Sequence, residues 1–318
     1  MAARPNPFPG LRPFEPDEDH LFFGREKEID DLLRLLRYNR FLSVVGTSGS
    51  GKSSLVRSGL IPSLQSGLMV TAGSTWRLAI MRPGEDPIGH LAAALSSPDV
   101  LSPSDEADEL ASTRHVLIDA TLRRGTLGLV DAIRLARIPR GENVLVLVDQ
   151  FEELFRYRRT RRREIQRDED VAFVKLLLEA VRQSDIPIYV VLTMRSDFIG
   201  DCMDYTGLPE AVNQSQYLVP RMTRDELRLA ITGPIAVAGG EIAPRLVLRL
   251  LNEVGDDQDQ LPLLQHVLMY TALTIKSPGI RGKTEASTTR RPAVPCTRKS
   301  LDSTPPISRP PIRQVHDA

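Results

Sequence analysis

Apolar residues recur at helical spacing in FFGREKEIDDLLRLLRYNR, where Ile29, Leu32, Leu33, Leu35 and Leu36 are separated by charges. The spacing predicts an amphipathic helix. It gives way at Phe41–Val45 to a short apolar run ending at Gly46, which reads as a buried strand. After the loop GTSGSGKSS a second helical pattern runs to about Leu64. Arg77–Met81 reads as another strand. Ile88–Leu95 and Glu106–Ile138 are helical in pattern, with a break at Gly125–Gly128. NVLVLVDQ (Asn143–Gln150) is nearly all apolar and predicts a strand buried on both faces. A basic loop and a helix over Val171–Gln183 lead to a comparable strand at Ile186–Thr193, and a shorter one follows at Gln216–Val219.

Strands alternating with helices predict parallel crossovers, hence an α/β sheet with helices on both faces. After Pro220 the pattern becomes helical only: TRDELRLAI, PRLVLRLLNEV and LPLLQHVLMYTAL. Thr223 and Glu226 have the spacing of a capping box. The chain is thereby divided into an extended proline-rich segment at 1–20, an α/β core at 21–220, a small all-helical domain at 221–273 and a tail at 274–318.

Composition changes this picture in two places. The 318 residues carry 41 Lys/Arg and 41 Asp/Glu, a net charge of zero, yet the tail from Thr274 holds nine Lys/Arg against three Asp/Glu. The tail also has seven prolines and no aromatic residue. It is expected to be disordered, because such a segment buries too little surface to offset its ordering entropy. Its abrupt onset leaves open a shifted reading frame as its origin. The zero total argues against a dedicated nucleic-acid binder. Cys202 and Cys296 are the only cysteines, too few for a disulfide framework or a cysteine-based zinc site. With no apolar run of the roughly 18–20 residues that span a bilayer, and no apolar signal region at the N-terminus, a reducing, cytoplasmic setting is expected.

The chemistry centres on Gly46, Thr47, Ser48, Gly49, Ser50, Gly51, Lys52, Ser53 and Ser54. The first eight fit G-x-x-x-x-G-K-[ST] at every fixed position. Glycines let backbone N–H groups wrap an anion, and the following helix turns its positive end toward it. Lys52 adds a full charge near the β- and γ-phosphates, and the Ser53 hydroxyl is a ligand for Mg²⁺. The bland alternative, a Gly/Ser-rich turn, ignores the apolar strand entering the loop and the helix leaving it.

A metal needs an acidic partner. Asp149 stands at the C-terminal end of a buried strand, where ligands bind in open α/β sheets. Glu152 and Glu153 follow; one of them is a candidate general base, the alternative being a charge pair at a helix start. Arg195, in TMRSDF, ends the next strand and is a candidate for stabilising the γ-phosphate, or else pairs with Asp197. The run RYRRTRRREIQR (156–167) reads as a solvated basic loop, the alternative being contact with phosphate or a partner.

FFGREKEIDDLL, GTSGSGKSSL, VLVLVDQFEELF, TMRSDF and DQLPLLQHVL, in this order, resemble the STAND NTPases, above all the bacterial novel STAND NTPase 1 group, over about residues 6–272. The resemblance implies a P-loop NTPase three-layer sandwich with sheet order 5-1-4-3-2 and a helical lid. It implies that Gly24, Arg25 and Glu26 contribute to adenine-side binding and that Pro262 packs on the adenine from the lid. Gln260 departs from the pattern, standing where related proteins often have glycine. It further implies bound ATP or ADP with Mg²⁺, slow ATP hydrolysis, and a lid that moves with nucleotide state to gate self-association in signal transduction. The signal-reading part and any effector domain are expected to lie outside this chain, and protein partners to act through them. Preference for ATP over GTP stays open from the residues alone. An initiator-type ATPase that acts on nucleic acid and a non-catalytic nucleotide-binding module are the competing classes.

Overall fold

The computed structural model describes residues 6–69, 72–101, 108–160, 164–253 and 261–274. All of these residues lie within one compact unit. The expected disordered tail and Gln260 lie outside the described residues, apart from Thr274.

Helix α1 (Glu26–Tyr38) turns Leu32, Leu33 and Leu36 inward, as its spacing requires. The strands β1 (Phe41–Gly46), β2 (Trp76–Met81), β3 (Asn143–Val148), β4 (Ile188–Arg195) and β5 (Gln216–Leu218) form one parallel sheet. Its order is β2-β3-β4-β1-β5, the expected 5-1-4-3-2 read from the other edge. Every residue of β1 and β3 is buried, and side chains alternate between the two faces. Val144, Val146 and Val148 pack with Leu91 of α4 (Pro87–Leu95), Leu122 of α5 (Asp108–Leu122), Ile133 of α6 (Gly128–Ala136) and Phe173 of α8 (Glu164–Arg182). Leu145 and Leu147 pack on the other face with Leu36, Val56 and Leu60. The sheet is therefore the middle of three layers.

Strand limits shift from the expected ones for local reasons. β4 starts at Ile188 because Pro187 has no N–H to give a ladder, and it runs on to Arg195, which registers with Gly46. The loop after β1 opens α2 (Lys52–Ser54), which continues through a π-helical stretch, Leu55–Leu60, into α3 (Ile61–Gln65).

Two expectations are corrected. Residues 156–167 are not simply a loop: α7 (Glu153–Thr160) carries the first part of the basic run, and α8 begins well before Val171. The run contains neither Gly nor Pro, and arginine favours helix. The N-terminal segment is not extended throughout 1–20, because Pro16–Leu21 form a 3₁₀ helix. Pro16 suits its first position, and the Glu18 carboxylate accepts from the Glu15 N–H at 2.9 Å.

Beyond α9 (Leu208–Gln214) and β5 come α10 (Arg224–Val237), α11 (Pro244–Glu253) and α12 (Leu261–Thr274). The Thr223–Glu226 capping box is present, with reciprocal bonds of 3.3 and 2.7 Å. Phe8 is buried among Ile231, Val247, Leu250 and Leu268 of these helices. Asn6 Nδ2 donates to the Met269 carbonyl at 2.8 Å. Further along, the Phe14 N–H donates to Ser54 Oγ at 3.2 Å. Residues 6–14 thus form a strap from the C-terminal helices to the loop behind β1.

Candidate functional site

Strand register brings the chemistry together. Gly46 of β1 lies opposite Arg195 of β4, and Val148, the residue before Asp149, lies opposite Leu192. Three strand ends therefore meet at one edge of the sheet. In the loop, Gly49 and Gly51 have φ of 71° and 84°, a region in which L side chains are strained. Nothing lies within 4 Å of where a Cβ on Gly51 would sit, so backbone twist rather than space demands glycine there. The twist turns Lys52 back on its own loop: Nζ donates to the carbonyls of Gly46 and Thr47 at 3.0 and 2.6 Å. Burial pushes the Lys52 ammonium below the usual lysine range; Glu152 opposes that shift, Arg195 adds to it and Asp149 opposes it.

Asp149 is fully buried. Its Oδ1 accepts from Ser53 Oγ at 2.6 Å and from Thr193 Oγ1 at 2.6 Å. Its Oδ2 accepts from Arg57 Nη2 at 3.1 Å. The next residue, Gln150, has φ of 58°, a conformation that non-glycine residues hold only when their surroundings enforce it. Here its N–H is fixed by Thr193 Oγ1 at 2.9 Å.

The two glutamates part company. Glu152 is buried, faces the cavity described below, and accepts from the Arg195 N–H at 3.3 Å. Glu153, the first residue of α7, instead accepts from the Gly84 N–H at 3.2 Å and does not line the cavity. Arg195 lines the cavity and also pairs with Asp197.

The cavity encloses about 360 Å³, within the usual range for a small-molecule site. The loop contributes Ser48, Gly49, Ser50, Gly51, Lys52, Ser53 and Ser54, and the strap contributes Pro9–Phe14. Leu21–Phe23 and Arg25 add a third wall, and Ala230 of α10 with Pro262 of α12 a fourth. Gly46, Thr47 and Asp149 stand behind the wall rather than in it. Gly24 also lies behind it: its φ is 83°, and a Cβ would come within 2.5 Å of the Glu226 carbonyl oxygen, so glycine lets this turn touch α10. Arg25 is committed to Glu28 at 3.0 Å, the Pro220 carbonyl at 3.0 Å and the Ser50 carbonyl at 3.5 Å. It pins the loop to α1 and to the exit of β5.

The residues fit a nucleoside polyphosphate with a divalent cation. Among the described residues Ser50 Oγ and Arg195 Nε are buried with no partner, and Lys52 donates to carbonyls, a set of donors suited to an anion. The oxygens of Ser53 and Asp149 suit a hard cation that arrives with phosphate. Among the described residues no group of three or more His, Cys, Asp and Glu is placed to hold a metal by itself, and no helix is long and apolar enough to cross a membrane.

Sequence reasoning missed Thr193, Arg57 and the strap, all of which touch the site or the cavity. Thr193 stands two residues before Arg195 and so shares its strand face. Arg57 stands four residues after Ser53, one helical turn away. Those signals were readable, whereas the strap's path was not.

The family model described as Novel STAND NTPase 1 matches residues 7–281. No curated protein matches. Among solved structures, the ORC2 protein of Aeropyrum pernix, in ADPNP–ADP complexes, aligns with a TM-score of 0.50 at 14% identity, covering 79% of this chain and 68% of that one. A Walker-type ATPase of Pyrococcus abyssi aligns with a TM-score of 0.48 at 16% identity, covering 83% and 73%. A chain of the E. coli MS115-1 HORMA–CdnC–Trip13 complex aligns with a TM-score of 0.47 at 13% identity, covering 87% and 99%. The ORC2 likeness is one of fold.

Proposed function

The chain belongs to the novel STAND NTPase 1 family, and from that premise we propose that this P-loop NTPase is a regulatory ATPase switch. It binds ATP with Mg²⁺, hydrolyses it slowly and uses the nucleotide state to set the position of a helical lid (221–273) on the core (21–220). Lid position in turn gates self-association and protein partnership, in the cytoplasm. The observation that carries the reading is the shared cavity, lined by the loop at Ser48–Ser54, the strap at Pro9–Phe14 and Pro262 on α12, so that one ligand there would touch all three. A ligand shifts a conformational equilibrium only through its differential affinity for the two states, and walls drawn from separate elements supply that difference.

Lys52, the loop backbone and the N-terminus of α2 hold the phosphates. Ser53 and Asp149 would hold Mg²⁺, which would neutralise charge on the phosphates. Glu152 is the general base of choice, because it faces the cavity while Glu153 is tied to Gly84. Arg195 stabilises charge on the outermost phosphate, and Pro262 packs on the base. Slow turnover fits the engaged state of this machinery, with Glu152 holding the Arg195 N–H and Arg195 paired with Asp197. Action on nucleic acid is the weaker reading. Arg156, which opens the basic run, lies over the Phe198 ring at 5.3 Å and lines the cavity.

The test is to identify the nucleotide that copurifies, to follow phosphate release, and to measure mass with ADP and with a non-hydrolysable ATP analogue. Bound ADP, slow release and a mass that changes with nucleotide support the switch. Fast turnover at constant mass contradicts it.

A further inference from the structure

Asp149 is fully buried, and an ionised carboxylate in such a place needs a compensating charge. Lys52, whose charge also acts in this site, gives its donors to the carbonyls of Gly46 and Thr47 instead. The cation that touches Asp149 is Arg57, with Nη2 at 3.1 Å from Oδ2. Its other terminal nitrogen, Nη1, reaches the two oxygens of Glu15 at 3.1 and 2.9 Å. Glu15 stands at the end of the strap, next to Phe14, whose N–H donates to Ser54 Oγ. Arg57 is therefore shared between the carboxylate expected to hold metal and a carboxylate on the strap.

Two details mark this guanidinium as an exchangeable occupant rather than a fixed pin. Its Nε is buried without a partner among the described residues, and only its terminal nitrogens hold Glu15 and Asp149. It also rises from the π-helical stretch Leu55–Leu60, where the helix departs from its regular turn.

We propose that Arg57 is a resident counter-cation of Asp149, which a divalent cation displaces onto Glu15. This rests on the nucleotide-site reading and adds regulation to it. Two positive charges do not share one carboxylate at close range without cost, so Arg57 raises the metal concentration needed to fill the site. Glu15, by accepting the displaced guanidinium, lowers it. Filling the metal site thereby strengthens the strap's ionic anchor, which makes Arg57 a positioning residue for both.

The test titrates Mg²⁺ against the full chain at a fixed concentration of a non-hydrolysable ATP analogue and reads the Mg²⁺ midpoint for analogue binding. R57Q lowers the midpoint, by about tenfold if it frees one charge-assisted bond, and E15Q raises it. In the E15Q/R57Q double variant the Glu15 effect disappears, because Glu15 acts through Arg57. A midpoint that R57Q leaves unchanged or raises overturns the proposal, as do additive effects in the double variant. If R57Q does not fold, E15Q decides alone: a raised midpoint supports the proposal, and an unchanged or lowered one overturns it. A wild-type chain that binds no analogue at any Mg²⁺ concentration overturns the nucleotide-site reading as well, which separates the two failures.

Discussion

Ser53 and Asp149, 96 residues apart in sequence, are joined by a 2.6 Å hydrogen bond from Ser53 Oγ to Asp149 Oδ1. The bond links the first turn after β1 to the end of β3, although β4 lies between these strands in the sheet. Thr193, from β4, completes the bridge at the same oxygen.

Replacing Thr193 with Val keeps the shape and removes the hydroxyl. Asp149 loses a donor and the Gln150 N–H loses its acceptor, both in buried surroundings. A stability loss of about 1–3 kcal/mol is expected, read from denaturant unfolding. A loss below a few tenths would show that the hydroxyl contributes little.

The two glutamates should separate kinetically. E152Q is expected to lower phosphate release by about 10²-fold or more while nucleotide affinity holds, since it removes a candidate base. E153Q touches the Gly84 N–H instead and should leave release within about threefold. Equal losses in the two variants, measured in single-turnover assays, would refute the assignment.

Nucleotide affinity should weaken on the alkaline side earlier than an ordinary lysine would cause. In the free protein burial lowers the Lys52 pKa, and a bound phosphate favours the charged form. Binding then takes up a proton, so affinity falls as pH rises through the free-protein pKa of Lys52, below the ordinary 10.5. Calorimetry in two buffers of different ionisation enthalpy detects the uptake. Affinity that stays flat up to the ordinary lysine range would contradict it.

Phe8 carries the strap's hold on the C-terminal helices, where it is 2% exposed. F8A is expected to cost about 3–5 kcal/mol locally. Hydrogen exchange should report faster opening in α10 and α12 while β3 keeps its protection. Uniform loss across the sheet would show that the strap is part of the core's own stability.

Much of this architecture was legible in the chain. The apolar run NVLVLV announced a strand buried on both faces, and the G-x-x-x-x-G-K-[ST] spacing needed only a strand before it and a helix after it to place the loop. Both are local patterns. What was illegible depends on contacts between distant segments. The path of Phe8 into a cluster formed around residue 250, and the reach of Arg57 to both Asp149 and Glu15, follow from packing that no window of the sequence contains. The basic run 156–167 misled for another reason: charge suggested a loop, whereas arginines without Gly or Pro are compatible with helix, and α7 takes the first of them. The choice between Glu152 and Glu153 needed the rotation of a single helix start, and adjacent identical residues carry no signal about which one faces inward.

The central claim is that the loop around Lys52 holds a nucleotide's phosphates. Titration of the wild-type chain and of K52A with ATP and Mg²⁺, followed by calorimetry, tests it most directly. Binding by the wild type and a loss of about 10²-fold or more in K52A are expected, since a buried charge-assisted contact to phosphate is removed. K52A binding as tightly as the wild type, with its fold intact by circular dichroism, would show that this loop does not hold the phosphates.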